Sequence, residues 1–208
     1  MARSVSVAAN AMINGDVLCS GNVSLSSNAY VKSIVLGGSL STQAGAQYGS
    51  LEYSSVNVPS IATRSFSVDG IAFNVWSGQS ASMSPGMYGD VNIYAGANIT
   101  LEPGVYYFKS LYIAPNVNVT STNVNHPIQI WVQGNVSVGD NASVMSEYNP
   151  NLFFIYSNAA SNMYFGVQSK ISATVVYPNG TVNLAPKLQY KGKVWAKSII
   201  VGANLNVN

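Results

Sequence analysis

The chain has 208 residues, a length that favours one domain and suffices for a continuous core. Only 8% of its residues are charged, against about 25% in a typical soluble domain, and Ser, Asn, Gly and Thr take their place. A net charge of +2 gives no reason to expect nucleic acid as a partner. The composition favours an extracellular β-protein with a polar, uncharged surface.

A single cysteine, Cys19, excludes an internal disulfide and a cysteine-based metal site. It lies in a short apolar alternation, so we predict a buried side chain rather than a reactive thiol. No apolar run approaches the length of a membrane-spanning helix, and no signal peptide is visible. An extracellular or cell-surface location therefore implies that a signal or anchor was removed upstream, and we expect no membrane insertion by this chain.

Short apolar alternations begin with the first residues. Apolar residues separated by one residue are typical of strands with one buried face. Asn, Asp and Gly, which tolerate a left-handed backbone, separate these strands. We predict two narrow coils over residues 1–38. The apolar positions are Val5/Val7, Met12, Val17/Cys19, Val23/Leu25, Tyr30/Val31 and Ile34/Leu36.

The alternation stops over residues 39–70, which are rich in Ser and Gly and contain Pro59. We predict a long irregular excursion here, with a short helical turn near Ser60–Ser65. Long loops inside compact domains are often functional lids. A plain insertion that covers one face of the fold is an equal alternative.

Alternation resumes at residue 71 and continues to the end of the chain. A strand with two or three inward residues can bury that face only by stacking on similar neighbours. No amphipathic helix of ten or more residues interrupts the pattern, which excludes alternating β/α folds. We predict one all-β domain, residues 1–208, folded as a single-stranded right-handed parallel β-helix, with its main solenoid over residues 71–208. The expected inward sets include Val91/Ile93, Ile99/Leu101, Val105/Tyr107, Leu111/Ile113, Val117/Val119, Ile128/Ile130/Val132, Val136/Val138, Phe153/Ile155, Met163/Phe165, Ile171/Ala173/Val175, Val182/Leu184, Leu188/Tyr190, Val194/Ala196, Ile199/Val201 and Leu205/Val207.

The acidic residues do not suggest an active site. Polysaccharide-cleaving β-helix enzymes need clustered carboxylates or acidic calcium ligands. None of the seven acids here lies within two residues of another, although stacked coils can bring distant acids together. His126 stands alone, which argues against a metal site. We predict no catalytic residues, no metal and no cofactor.

The segment KGKVWAKS is the most distinctive surface. If Val194 and Ala196 point inward, their neighbours point outward. An outward Trp between lysines can stack on sugar rings or hold an anionic partner. Two alternatives stay open: a lysine edge that discourages aggregation, and a Trp buried against the 39–70 excursion or a neighbouring subunit. The candidate interaction surface is Lys191, Lys193, Trp195 and Lys197.

Two stretches carry a family resemblance. The C-terminal segment resembles bacterial pilus-associated, pilin-like surface proteins, whose globular part is a right-handed β-helix. The matching residues are Ala173, Tyr177, Pro178, Asn179, Val182, Leu184, Tyr190, Gly192, Val194, Ala196, Lys197, Ser198, Ile199, Val201 and Gly202. Residues 101–108 resemble a step of such domains that also occurs in other secreted solenoids, including ice-binding ones. The sequence has no flat ladder of Thr, which argues against the ice-binding variant.

The strand pattern runs to both ends without a capping helix. An uncapped solenoid exposes unpaired backbone and apolar residues, and bactofilin-like filaments, a more distant likeness, use uncapped ends for assembly. We predict a non-catalytic structural or adhesive module of a microbial cell-surface or pilus-associated assembly. Its expected partners are further copies end to end, other surface subunits, or a glycan or anionic surface. The alternatives are a self-polymerising extracellular filament subunit and a polysaccharide-binding or -cleaving β-helix.

Overall fold

The computed structural model describes residues 1–56 and 66–208. Within these ranges the chain is all β, with twenty strands and no helix, so the predicted all-β class is confirmed. The strands are β1 (Ser4–Val7), β2 (Met12–Cys19), β3 (Val23–Leu25), β4 (Tyr30–Leu36), β5 (Leu40–Thr42), β6 (Gln47–Tyr53), β7 (Phe73–Val75), β8 (Ser80–Met83), β9 (Gly86–Ile93), β10 (Asn98–Leu101), β11 (Gly104–Ile113), β12 (Asn118–Ser121), β13 (Ile128–Val132), β14 (Val136–Val138), β15 (Ser143–Val144), β16 (Phe153–Ser157), β17 (Asn162–Phe165), β18 (Lys170–Leu184), β19 (Gln189–Val201) and β20 (Asn206–Val207).

All strand pairings in the described ranges are parallel, and they form three runs. Face 1 is the run β7, β9, β11, β14, β17, β18, β19, β1, β3, β5. Face 2 is the run β8, β10, β12, β15, β18, β19, β20, β2, β4, β6. Face 3 is the run β9, β11, β13, β16, β18, β19, residues 1–3, β2, β4, β6. The chain passes through the three faces in turn, and we call each circuit a lap.

The laps are not stacked in chain order. Strand β1 pairs with β19 on one side, through Ser4 and Ser198, and with β3 on the other, through Val5 and Val23. Both chain ends therefore lie inside the stack. The lap that contains β5 and β6 lies at one end of the stack, and the lap that contains β7 and β8 lies at the other.

At the corner between faces 1 and 2, every lap has one residue in the left-handed backbone conformation. Asn has the smallest penalty of the non-Gly residues in this conformation, which explains why it recurs between the apolar pairs. Five of the ten residues are Asn, with φ between 55° and 61°. In stack order, the corner residues are Gly78, Gly96, Asn116, Asn141, Gln168, Lys187, Asn204, Asn10, Asn28 and Gly45.

One apolar core runs through the stack, and most predicted inward positions are buried, including Cys19. The prediction was wrong for Val105 and Tyr107. Tyr106 and Phe108 point inward instead, and Val105 is exposed. All four residues of this Val-Tyr-Tyr-Phe segment are apolar, so alternation alone does not determine which pair faces the core.

The irregular excursion is shorter than predicted. Leu40–Thr42 and Gln47–Tyr53 are strands in register with β3 and β4, so the predicted boundary at residue 39 was wrong. These strands belong to a terminal lap and are largely exposed, so they lack the apolar alternation of inner laps. The helical turn expected near Ser60–Ser65 lies outside the described residues.

Candidate functional site

The predicted interaction surface lies on β19, where that strand crosses face 3. Lys191, Lys193 and Lys197 are exposed and Ala196 is buried, as the alternation predicts. Trp195 points outward with the lysines but is half-buried. The structure therefore brings the four residues together along one strand.

Hydrogen bonds hold this part of β19 on both sides. Strand β18 pairs with it on one side, from Ala173 opposite Gly192 to Tyr177 opposite Ala196. On the other side, the Ala196 amide donates to the carbonyl oxygen of Met1 at 3.0 Å. The buried Tyr190 hydroxyl lies 2.8 Å from the carbonyl oxygen of Ala173. This support positions the lysine–tryptophan strand.

The two chain ends complete one lap and leave a gap between them. Tyr190 pairs with Val207, which puts Lys191 opposite Asn208. Ser4 pairs with Ser198, which puts Met1 opposite Trp195. On the side of β19 away from β18, residues 192–194 therefore have no residue of the described chain opposite them. On β2, which lies on the other side of the gap, Asn14 is opposite Asn208 and Leu18 is opposite Met1. Residues 15–17 of β2 therefore also face the gap.

The gap opens into a cavity of about 610 Å³. Most of its lining is apolar, and exposed Lys191, Lys193 and Asp16 contribute opposite charges to it beside Trp195. The lining also includes Ile13, Tyr190, Ile199 and Val201. Burial lowers the pKa of the Met1 ammonium, which lines the same cavity, to about 6. A volume of this size is in the range of small-ligand pockets, about 300–1,000 Å³.

Face 3 also carries an aromatic row that sequence analysis missed. Tyr107, Trp131 and Tyr156 occupy successive outward positions, followed by Val176 and Trp195. Phe66 packs edge-on against Tyr107 and Trp131, with ring centroids 5.6 and 6.4 Å apart. The part of the excursion that follows residue 65 thus covers one end of this row. Only the three-dimensional register reveals the row, because its successive members are 19 to 25 residues apart in sequence.

Face 1 presents outward rows of mostly uncharged polar side chains with a few large ones between them, which sequence analysis also missed. Hydrogen bonds link side chains of neighbouring strands within these rows. The Ser4 hydroxyl donates to the Ser198 hydroxyl at 2.8 Å, and the Ser24 hydroxyl donates to the Ser6 hydroxyl at 3.1 Å. The central row contains no charged residue. In stack order it is Asn74, Asn92, Tyr112, Ser137, Tyr164, Asn183, Ile200, Ser6, Ser24 and Ser41.

Two of the acids make structural hydrogen bonds in the described fold. The Asp90 carboxylate accepts a hydrogen bond from the Ser110 hydroxyl at 2.6 Å. The Asp140 carboxylate accepts one from the Val167 amide at 2.8 Å. Among residues 1–56 and 66–208, no group of three or more His, Cys, Asp and Glu side chains is placed to hold a metal.

Both terminal laps have an open edge within the described residues. Strands β5 and β6 pair only with β3 and β4, and strands β7 and β8 pair only with β9 and β10. Inward residues such as Leu51 and Phe73 are only partly buried there, and Tyr53 is 64% exposed. Each end therefore presents backbone groups and part of the core. No helix in the described ranges is long and apolar enough to cross a membrane.

Comparison with protein-family models gives no match, and comparison with curated protein sequences gives none. Among solved structures, the chain is similar to an ice-binding protein from an Antarctic Flavobacteriaceae bacterium, with a TM-score of 0.39 and 15% sequence identity. The similarity covers 98% of this chain and 63% of that one.

Proposed function

We propose that the chain is a non-catalytic structural and adhesive module of a microbial cell-surface or pilus-associated assembly. Its fold, in this proposal, is a right-handed parallel β-helix interrupted where the two chain ends meet. The three parallel runs and the left-handed residue at one corner of each lap support a β-helix. The hand follows from the general rule that parallel crossover connections are right-handed in about 98% of cases. The C-terminal motif resemblance supports the surface role.

The observation that carries the proposal is the open edge at both ends of the stack. An unpaired parallel edge is a template for another strand, and the two ends of this stack are different surfaces. A contact between unlike surfaces is heterologous, and because these two surfaces lie at opposite ends of the stack, repeated contacts build an open filament rather than a closed dimer. The partner is therefore a second copy, end to end, or another subunit of the same assembly.

Electron microscopy of a concentrated sample tests this assembly. The Ser54 amide donates to Leu36 inside the stack, so by alternation the Tyr53 amide faces the open edge. Tyr53→Pro therefore removes an edge donor and keeps the ladder to β4. We expect filaments of single-molecule width for the wild type and none for Tyr53→Pro. Tyr112→Ala, which removes a tyrosine from a side of the stack, is the matched control and should still form filaments. Dispersed particles for the wild type would contradict the proposal.

A second candidate function is ligand binding at the lysine–tryptophan strand. The observation that favours it is the position of Lys191, Lys193 and Trp195 at the mouth of the 610 Å³ cavity. An anionic glycan offers charge for the lysines and ring faces for Trp195. Trp195→Ala and Lys193→Gln should each weaken retention on an anionic polysaccharide column. Equal retention of the wild type and both variants would exclude this site.

A further inference from the structure

Large and small side chains alternate in the middle of the central outward row of face 1, from Tyr112 to Ile200. Tyr112, Tyr164 and Ile200 are 43%, 38% and 47% exposed, which is high for large side chains on a sheet. Ser137 stands between the two tyrosines, and Asn183 stands between Tyr164 and Ile200. The face therefore has three apolar ridges separated by two shallow polar grooves.

The spacing of the ridges follows from strand pairing. Neighbouring strands lie about 4.8 Å apart, so side chains at paired positions two strands apart are separated by about 9.6 Å. Pairing is continuous from Tyr112 through Ser137 to Tyr164, and from there through Asn183 to Ile200. The disaccharide repeat of an extended β-1,4-linked pyranose chain has nearly this length.

The chemistry around the ridges fits a neutral, hydroxyl-rich ligand. The adjacent outward row holds Asn162, Thr181 and Ser198, which can donate to and accept from hydroxyl groups. The Asp90 carboxylate, the one charged group in that row, is already bonded to Ser110. Tyrosine rings pack well on the C–H faces of sugars because both surfaces are apolar and flat. An anionic polymer would gain no charge contact here.

We propose that face 1 binds a neutral β-1,4-linked polysaccharide laid along the stack, with alternate sugars over Tyr112, Tyr164 and Ile200. This inference rests on the proposed adhesive function and names its ligand class. The site is distinct from the lysine–tryptophan strand, which lies on face 3.

Pull-down on insoluble chitin and cellulose tests the inference. We expect the wild type to bind at least one of them. We expect Tyr112→Ala with Tyr164→Ala to weaken binding about tenfold or more, since aromatic contacts of this kind are worth up to about tenfold each. Ser137→Tyr fills the groove between the ridges and should also weaken binding. Met12→Ala, which removes an equally exposed large side chain from face 2 of an inner lap, is the control and should bind like the wild type. Thermal unfolding of every variant verifies that it is folded.

Two results would overturn the inference: no binding of the folded wild type to either polysaccharide, or unchanged binding of the double variant. Both are separable from failure of the proposed assembly, because filament formation by the same wild-type sample is scored independently. Filaments without polysaccharide binding would reject face 1 as the site and leave the structural role standing. Polysaccharide binding that depends on Trp195 but not on Tyr112 or Tyr164 would also reject face 1.

Discussion

The Met1 ammonium donates a hydrogen bond of 2.8 Å to the carbonyl oxygen of Val194, which lies 193 positions further along the chain. This contact joins the first residue to the last complete lap. The Asn208 carbonyl oxygen accepts a hydrogen bond from the Gly192 amide at 3.2 Å. Through these two contacts with β19, the N-terminal and C-terminal residues together form one lap of the stack.

Joining the ends should stabilise the fold. Because three positions separate Asn208 from Met1 in the register, a Val-Ser-Val linker would continue the strand with its valines inward. Ring closure lowers the entropy of the unfolded chain, and we expect the free energy of unfolding to rise by about 2–4 kcal/mol. Denaturant unfolding of the cyclised protein measures this change. The linear chain carrying the same three residues at its C-terminus is the control, and equal stability of the two would contradict the register at the gap.

The Met1 amine predicts a pH dependence. Burial lowers its pKa to about 6 from its ordinary value of 8.0, so the unfolded chain binds the proton more tightly than the folded one. This contribution to stability is complete above pH 8 and is lost as the pH falls towards 6. Acetylation of the amine should remove this part of the pH dependence. Chemical unfolding across this range, with and without acetylation, tests it; identical slopes would show that Met1 is solvated.

Two glycines at the cavity mouth should respond oppositely to substitution. A Cβ on Gly192, whose φ is 132°, would lie 2.0 Å from the carbonyl oxygen of Ala173, so the strand must move. We expect Gly192→Ala to cost about 2–4 kcal/mol of stability. Gly15 faces open space, and Gly15→Ala should be neutral or stabilise by up to about 1 kcal/mol. Similar unfolding midpoints for both variants would contradict the close contact of β18 and β19.

The left-handed corner predicts a stabilising substitution. Lys187 has φ 61° at a corner where five laps use Asn. Lys187→Asn should stabilise the protein by about 0.5–1 kcal/mol, because Asn tolerates this conformation better. Lys170→Asn, on regular strand β18, is the control and should give no gain. A lower melting temperature for Lys187→Asn than for the wild type would argue against the shared corner.

The parts of the fold that depend on local alternation could be predicted from the sequence. Val182 and Leu184 are inward because a two-residue period has one solution when the residues between them are polar. The order of the laps could not be predicted, because Val5 pairs with both Ile199 and Val23 and no local pattern distinguishes these neighbours.

The outward orientation of the lysine–tryptophan strand could also be predicted from local alternation. Alternation placed Lys193 and Trp195 outward on one strand, and the structure agrees. The cavity beside them and the tyrosine ridges of face 1 could not be predicted, because both arise from residues brought together by lap register rather than by sequence spacing.

Light scattering over a concentration series tests the central claim, that the open edges of the stack drive end-to-end assembly. We expect the apparent mass of the wild type to start at 21.9 kDa when dilute and to rise continuously with concentration. Tyr53→Pro should stay at the monomer mass throughout. A wild type that remains at 21.9 kDa at every concentration would contradict the account.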